Sequence, residues 1–579
     1  MARRPQGRRG RRRPRRVTPR RWLPFLALVA LAAAVVVVER QTSEPEATSP
    51  IVERPASRLP VAAEPDALST AWYCSGGSAR GDEGPAELSV VVANAADRVA
   101  SAEVTAMGDG TATVTTVEVP AYDRVRIEAD ELLNADWAGL SVEVLGGDAT
   151  VQREVVGPDG FSVSPCASQA SPEWFVPSGS TLLGAEEHLV LFNPFPDSTS
   201  VDVTFATDDG PRSPAALRAF SVPGRSVRVI PFEELPARRP EVATTVRARS
   251  GRLVVDRVQV HDGTGQPLGG DGADTVLLDV PQGLASTPAS AAAPRWFFPD
   301  AMVTPGTRTR VAVYNPGDED AEVDLVVTHE EPARLAEIDP FELSIRPREV
   351  AVVDLTDQAG ITEDVGFTID VRSLEGVPVV AEQLVYAKAP LEPSTPVEAD
   401  AGDPGASGDP GDLREPEPEP EPVPVPDAEV FPDAGPDAEP EAAETLEGAS
   451  AAPVPGFTVA AGSPVAATDW FLAGRGGDGD RNALVVVANP GTEPVTVQVE
   501  ELTGGRRGAV GSATVSVPGG DRRVLDLEDA SSSAALLIAA DGPVVVAQEA
   551  TAQEGRGISQ MLATPLPDTV RDLPVATAD

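Results

Sequence analysis

Leu189-Val190-Leu191-Phe192-Asn193-Pro194 is the stretch on which the fold turns. An apolar run halted by Asn-Pro reads as a β-strand ended by a turn, because the Asn side chain bonds nearby backbone and Pro cannot donate to a ladder. The same reading applies to Val311-Ala312-Val313-Tyr314-Asn315-Pro316, to Leu484-Val485-Val486-Val487-Ala488-Asn489-Pro490 and, with Ala95 in place of proline, to Ser89-Val90-Val91-Val92-Ala93-Asn94. A tryptophan precedes each asparagine at a nearly fixed distance: Trp72 before Asn94, Trp174 before Asn193, Trp296 before Asn315 and Trp470 before Asn489. Both residue types are rare in this chain, so the pairing marks a four-copy internal repeat.

Around each asparagine the alternation continues with period two. A second strand follows at 102–105, 201–205, 323–327 and 495–499, then a proline-punctuated pair such as Phe220-Ser221-Val222-Pro223 with Val227-Arg228-Val229. Each copy is expected to close with a hairpin about Gly147, Gly251, Gly376 or Gly542. Six or seven short strands in roughly 100 residues, without an amphipathic helix, predict tandem immunoglobulin-like or fibronectin-like β-sandwiches, an all-β chain. A propeller is disfavoured because its blades need shorter, four-stranded units.

The expected boundaries follow from composition: a basic tail (1–21), an apolar segment (22–38), a proline-rich stalk (39–70), sandwiches at 71–168, 173–280 and 294–388, an acidic Pro-rich linker (389–460), a fourth sandwich (468–568) and a short tail (569–579). The Glu-Pro and Val-Pro alternation from Glu415 to Pro426 favours extended polyproline, so the linker reads as a spacer projecting the last sandwich outward. Eleven arginines precede the uncharged run Trp22 to Val38. That order predicts a single transmembrane signal anchor with its basic side in the cytoplasm and the body outside, with secretion after signal cleavage as the alternative.

The chain carries a formal net charge of −44 although its first 21 residues are strongly basic. The exported body is therefore more acidic still, which argues against nucleic acid and anionic lipid as its partners and leaves divalent cations or basic surfaces physically open, solvation being the simpler reading of the charge. The expected partner is an envelope protein, with wall glycan as the alternative. Cys74 and Cys166, the only cysteines, bracket the first unit and predict a disulfide in an oxidising compartment.

No residue pattern supports catalysis. His188, His261 and His329 lie in different units without ligand spacing, and His329-Glu330-Glu331-Pro332 lacks the second histidine of a zinc helix. Asp271-Gly272-Ala273-Asp274 and Asp478-Gly479-Asp480 resemble ordinary turns more than calcium loops. The repeated tryptophans and asparagines are expected in cores and strand ends, and Trp137, outside the series, is expected against the sheet, an exposed binding role staying open. Polar residues six positions after each hairpin glycine, Arg153, Arg257, Glu382 and Gln548, read as a solvent row or as contacts to a neighbouring repeat. No enzyme, metal or cofactor is expected.

The basic head, single span, Trp72-Tyr73-Cys74 opening with Cys166, and later Trp-Phe openings at 174, 296 and 470 resemble a group of uncharacterised membrane-anchored actinobacterial proteins. That resemblance implies no activity and transfers no site residue. The leading expectation is a non-enzymatic, membrane-anchored extracytoplasmic protein whose sandwiches serve protein interaction or envelope scaffolding, with envelope glycan binding as the alternative and an enzyme with an unrecognised site as a further one.

Overall fold

In the second unit the alternating strands sort into two layers. One sheet orders Ser226–Pro231, Ala185–Asn193, Val254–His261 and Gly283–Pro288; the other orders Gly210–Arg212, Thr199–Thr207, Val242–Ser250 and Glu173–Val176, with Phe220–Val222 also on Thr199–Thr207. Between them lie Trp174, Leu189, Leu191, Val201, Val203, Phe205, Val246 and Val255. This computed structural model describes residues 59–573 except 82–83, 233–234, 265–279, 331–337, 357, 389–453, 475, 477–480, 511–513, 526, 528–529 and 554. The third unit repeats the two separate sheets, whereas in the first and fourth units the layers are continuous through a strand that pairs into both, Ser69–Ala79 in the first and Ala535–Ala552 in the fourth, so the chain is all-β and sandwich-like. Consecutive strands Glu173–Val176 and Ala185–Asn193 lie in different sheets. What the units share with immunoglobulin-like or fibronectin-like sandwiches is therefore the pair of layers.

The expected hairpins about the late glycines are instead crossings between layers. Val242–Ser250 and Val254–His261 flank Gly251 but belong to opposite sheets, and in the fourth unit one bent strand, Ala535–Ala552, runs through Gly542 into both. Gly251 has φ +77°, a conformation that turns the chain without a side-chain clash. Period two specifies faces but not the sheet a strand joins, which is why the two arrangements look alike in sequence.

The true hairpin comes one strand later. Each unit carries a short closing strand paired to its last long one: Gly160–Pro165, Gly283–Pro288, Gly456–Ala461 and Ile558–Leu562. The second unit therefore extends beyond residue 280. Gly456–Ala461 follows the acidic segment yet pairs with Val380–Ala387 ahead of it, Glu382 facing Ala461 and Ala387 facing Gly456. The acidic segment is thus an excursion inside the third unit that leaves after Lys388 and returns by Gly456, not a spacer before the fourth. A stalk reaching residue 70 is likewise too long: Ala62 is buried, its N–H bonding Pro565 O at 3.1 Å, and Val61 N donates to Ser168 Oγ at 3.1 Å. At the other terminus Arg571–Asp572 pairs with Val465–Leu472, so the fourth unit starts before 468 and takes in part of the expected tail.

The four units close on one another. The first closing strand packs on the second, the second on the third, the third on the fourth and the fourth on the first. Gly160, Gly283 and Gly456, which open three of these strands, and Gly557, which immediately precedes the fourth and is counted as its first position, gather at one end, where a Cβ on Gly283 would lie 2.4 Å from Phe457 N and one on Gly456 2.9 Å from Ile558 N. Only a residue without a side chain allows that approach. Residues 58 onward consequently form one compact body rather than a string of sandwiches.

The disulfide Cys74–Cys166 is formed, across a sequence separation of 92 residues. Thiol labelling without reductant is expected to find no reactive cysteine; two labelled thiols would contradict the pairing. The expected span at 22–38 and the turns at 271–274 and 478–480 lie outside the described residues, among which no helix is long and apolar enough to cross a membrane.

Candidate functional site

The Trp and Asn series stitches the two layers of each sandwich. The four tryptophans are 0–3 % exposed. Three of them, from the opening strand in one sheet, donate their indole N–H to a carbonyl at or just before the last long strand of the other: Trp174 to Leu253 O (2.8 Å), Trp296 to Val379 O (2.7 Å) and Trp470 to Val544 O (3.1 Å). Trp72 donates to Thr70 Oγ1 instead, at 2.6 Å.

The asparagines do more than stop a strand. Asn193 Oδ1 accepts from Phe195 N at 3.1 Å, while Nδ2 donates to Asp197 O at 2.8 Å and, across the layers, to Val222 O at 3.2 Å. Asn94, Asn315 and Asn489 repeat the pattern toward Val119, Ile345 and Val517. Asn193→Ala strands buried carbonyls and is expected to cost about 1–3 kcal/mol, measured by urea denaturation. An unchanged midpoint would deny the brace.

The polar row on the last long strands faces the neighbouring unit. Pairing register aligns Arg153, Arg257, Gln383 and Gln548, which oppose Val90, Leu189, Val311 and Val485, each four residues before its Asn. Glu382 therefore belongs one position earlier, with Gln152, Asp256 and Ala547, and counting from the hairpin glycine misplaces it. The later position of one unit meets the earlier position of the next. Arg153 Nη1 lies 2.7 Å from Asp256 Oδ2, and Arg257 Nη2 lies 3.3 Å from Glu382 Oε2. Ser178 Oγ donates to the same Glu382 oxygen at 2.6 Å, and Ser75 Oγ donates to Asp256.

The remaining two junctions use other pairs. Arg522 Nη2 lies 2.8 Å from Asp300 Oδ1 between units three and four, and Arg481 Nη1 lies 3.3 Å from Glu154 Oε2 between four and one. Each of the four junctions thus holds an ion pair at least partly withdrawn from water.

A ring of hydroxyls repeats the cycle on the closing strands. The third residue of one bonds backbone at the fourth residue of the next: Ser162 Oγ to Ser286 O at 3.1 Å, Gln560 N to Thr458 Oγ1 at 3.1 Å, and Val163 N to Ser559 Oγ at 2.8 Å. Ala285 holds the equivalent place in the second unit and has no hydroxyl to offer. These strands were missed in the sequence. Their common signal is a glycine, a large apolar residue and a small one (Gly160-Phe161-Ser162, Gly283-Leu284-Ala285, Gly456-Phe457-Thr458, Gly557-Ile558-Ser559), hidden because the loop before it ranges from a few residues to the whole acidic excursion.

Burial distorts several titrations here. It pushes the Glu187 carboxyl up to about 8, Glu382 adding to the rise against the pull of Arg257. Glu549, also buried and facing Asp300, is pushed up to about 7, and the His261 imidazole is pushed down to about 4. The three histidines stay apart, and among the described residues no group of three or more His, Cys, Asp or Glu is placed to hold a metal. At the far end of the closing strands, Leu59, Pro60, Pro165, Pro288, Pro464 and Leu562 line a mostly apolar cavity of about 40 Å³, room for a few waters.

Two stretches, residues 148–277 and 456–564, match the model of DUF5719, a family of unknown function. The first runs from the last long strand of unit one into unit two. The second DUF5719 match begins at the third closing strand and ends just past the fourth. No curated protein matches the chain. A solved structure, the crystal structure of Thermotoga maritima 1070, is similar over 17% of this chain and 83% of that one, at 25% identity and a TM-score of 0.15.

Proposed function

We propose that this chain is a non-enzymatic protein of the cell envelope, anchored by residues 22–38 with its body outside the membrane, and that its closed set of four sandwiches is a rigid platform for protein partners. The observation that carries this reading is the cyclic closure. Ion pairs recur at every junction and hydroxyl contacts at three of four, so the units hold fixed positions relative to each other.

The two ends of the ring support a scaffold. Leu59 and Pro60, the first described residues, line the cavity at one end of the closing strands. The acidic segment departs from the opposite, glycine end, where Gly557 N donates to Pro455 O at 2.9 Å. The disulfide in unit one fits an oxidising compartment.

The test is affinity capture by the detergent-solubilised full-length chain from envelope extract, followed by reciprocal capture with the retained protein. A partner retained in both directions, and not displaced by wall oligosaccharides, is the expected result. Retention of no protein would overturn the platform reading.

A further inference from the structure

Trp137 breaks the pattern of the repeat tryptophans. It is half-buried at the start of Ala135–Leu145, and among the described residues its indole N–H has no hydrogen-bond acceptor, whereas the four repeat tryptophans are all satisfied and enclosed. A half-buried aromatic with a free donor is the arrangement proteins use where one edge of a ring meets a ligand. Its ring centroid lies 5.2 Å from that of His188 in the next unit, and the two line a groove of about 650 Å³ at the junction of units one and two. That size falls within the range of about 300–1,000 Å³ usual for ligand clefts.

Comparison with the next junction shows that this groove is a departure from the repeat. Trp137 stands five residues before Val142, which faces Trp72; the equivalent residue in unit two is Glu241, five before Val246, which faces Trp174. His188 precedes Leu189, and its equivalent in unit three is Arg310, before Val311. Glu241 and Arg310 form an ion pair at 2.5 Å that is mostly buried. The slot plugged by a salt bridge at one junction holds two aromatic rings at the other.

The groove walls name the ligand chemistry. Arg228 pairs with Asp109 at 2.5 Å and Arg80 pairs with Asp136, so both signs of charge are neutralised within it. Each guanidinium keeps further N–H donors and each carboxylate a further acceptor oxygen, set around an aromatic face. An anion is disfavoured by the acidic body. Addition of a peptide strand to the edge strand Ser226–Pro231 is obstructed too, since Val227 N already donates to Gly108 O at 3.2 Å. A neutral polyhydroxylated ring fits both features, its apolar face on the indole and its hydroxyls on the paired polar groups.

We propose that this groove binds a neutral oligosaccharide, with a pyranose stacked on Trp137 and its hydroxyls bonded by the Arg80–Asp136 and Arg228–Asp109 pairs. The site does not depend on the platform reading: sugar binding with no captured protein leaves it standing, and so does the reverse for the platform.

Calorimetric titration of the detergent-solubilised full-length chain with tetramers of β-1,4-linked N-acetylglucosamine, of β-1,4-linked glucose and of mannose tests it. At least one probe is expected to bind saturably. Trp137→Ala should weaken that binding at least tenfold and Trp137→Phe by less, because phenylalanine keeps a stacking face. Thr111→Trp, at an exposed position on the groove wall, should block the site without touching a core and lose binding by a similar factor. No saturable binding of any probe, or binding indifferent to both Trp137→Ala and Thr111→Trp, would overturn the proposal; if Trp137→Ala does not fold, Thr111→Trp decides alone.

Discussion

Arg257→Ala is expected to destabilise the body by about 3–5 kcal/mol, the scale for removing one partner of a buried pair. Arg257 holds together groups from two units. Its Nη1 donates to Ser178 O (2.6 Å) and approaches Ser178 Oγ at 2.8 Å; its Nη2 donates to Thr287 Oγ1 on the closing strand (2.8 Å) and faces Glu382 of the third unit. Removing it leaves Glu382 buried without a cation and takes away the attraction that moderates Glu187. Replacing the pair together, Arg257→Met with Glu382→Leu, is expected to recover most of the loss, because no uncompensated charge then remains. Urea denaturation followed by tryptophan fluorescence reads both variants. A loss below about 1 kcal/mol for Arg257→Ala would show that the junction charges do not hold the ring.

Stability should fall by about 5 kcal/mol between pH 4.5 and 8 on account of Glu187 alone, since its carboxyl is pushed from 4.5 to about 8 and each unit corresponds to about 1.4 kcal/mol. The direction follows from which state binds the proton. Below pH 4.5 the residue is protonated folded and unfolded, and its contribution is fully present. Between 4.5 and 8 the unfolded chain ionises while the folded one keeps its proton, so stability is lost as pH rises. Above 8 both are ionised and the loss levels off. Glu549, pushed from 4.5 up to about 7, adds a loss of the same sign between pH 4.5 and about 7. Glu187→Gln should match the parent chain at pH 4 and exceed it increasingly toward pH 8, the difference levelling off by pH 9. Denaturation midpoints at pH 4, 6, 7 and 9 decide the matter; a difference constant with pH would refute the assignment.

Trp174 and Asn193 show how far the sequence could be read. A large aromatic and an amide, rare elsewhere and recurring at fixed spacing, mark positions where a core is filled and a turn is braced, so copy number, strand character and all-β class were legible. The partners across the layers were not: Val222 O and Leu253 O are reached only once the sheets have formed. Glu382 shows the opposite failure. Counting from Gly376 placed it level with Arg257, yet the pairing of Gln383 with Val311 shifts it by one residue and makes it the partner of Arg257. In a strand, one residue exchanges the two faces, so an error of one in counting reverses the meaning.

The groove was half legible. Trp137 stood out as the tryptophan beyond the repeat and the apolar segment, but His188 and Arg228 come from the next unit, and no spacing connects them to it.

By itself the sequence determined what each segment is: four alternating β units, a basic head with an apolar run, one cysteine pair and an acid-rich interruption. These properties depend on neighbours along the chain, through period two, charge and turn chemistry. Only the tertiary structure decided which sheet each strand joins, that the acidic interruption lies inside the third unit, and that the fourth unit returns to the first. Such pairings depend on backbone hydrogen bonds and buried charges between residues up to hundreds of positions apart, as with Val163 and Ser559. Local pattern constrains the faces a strand presents and leaves its distant partners free.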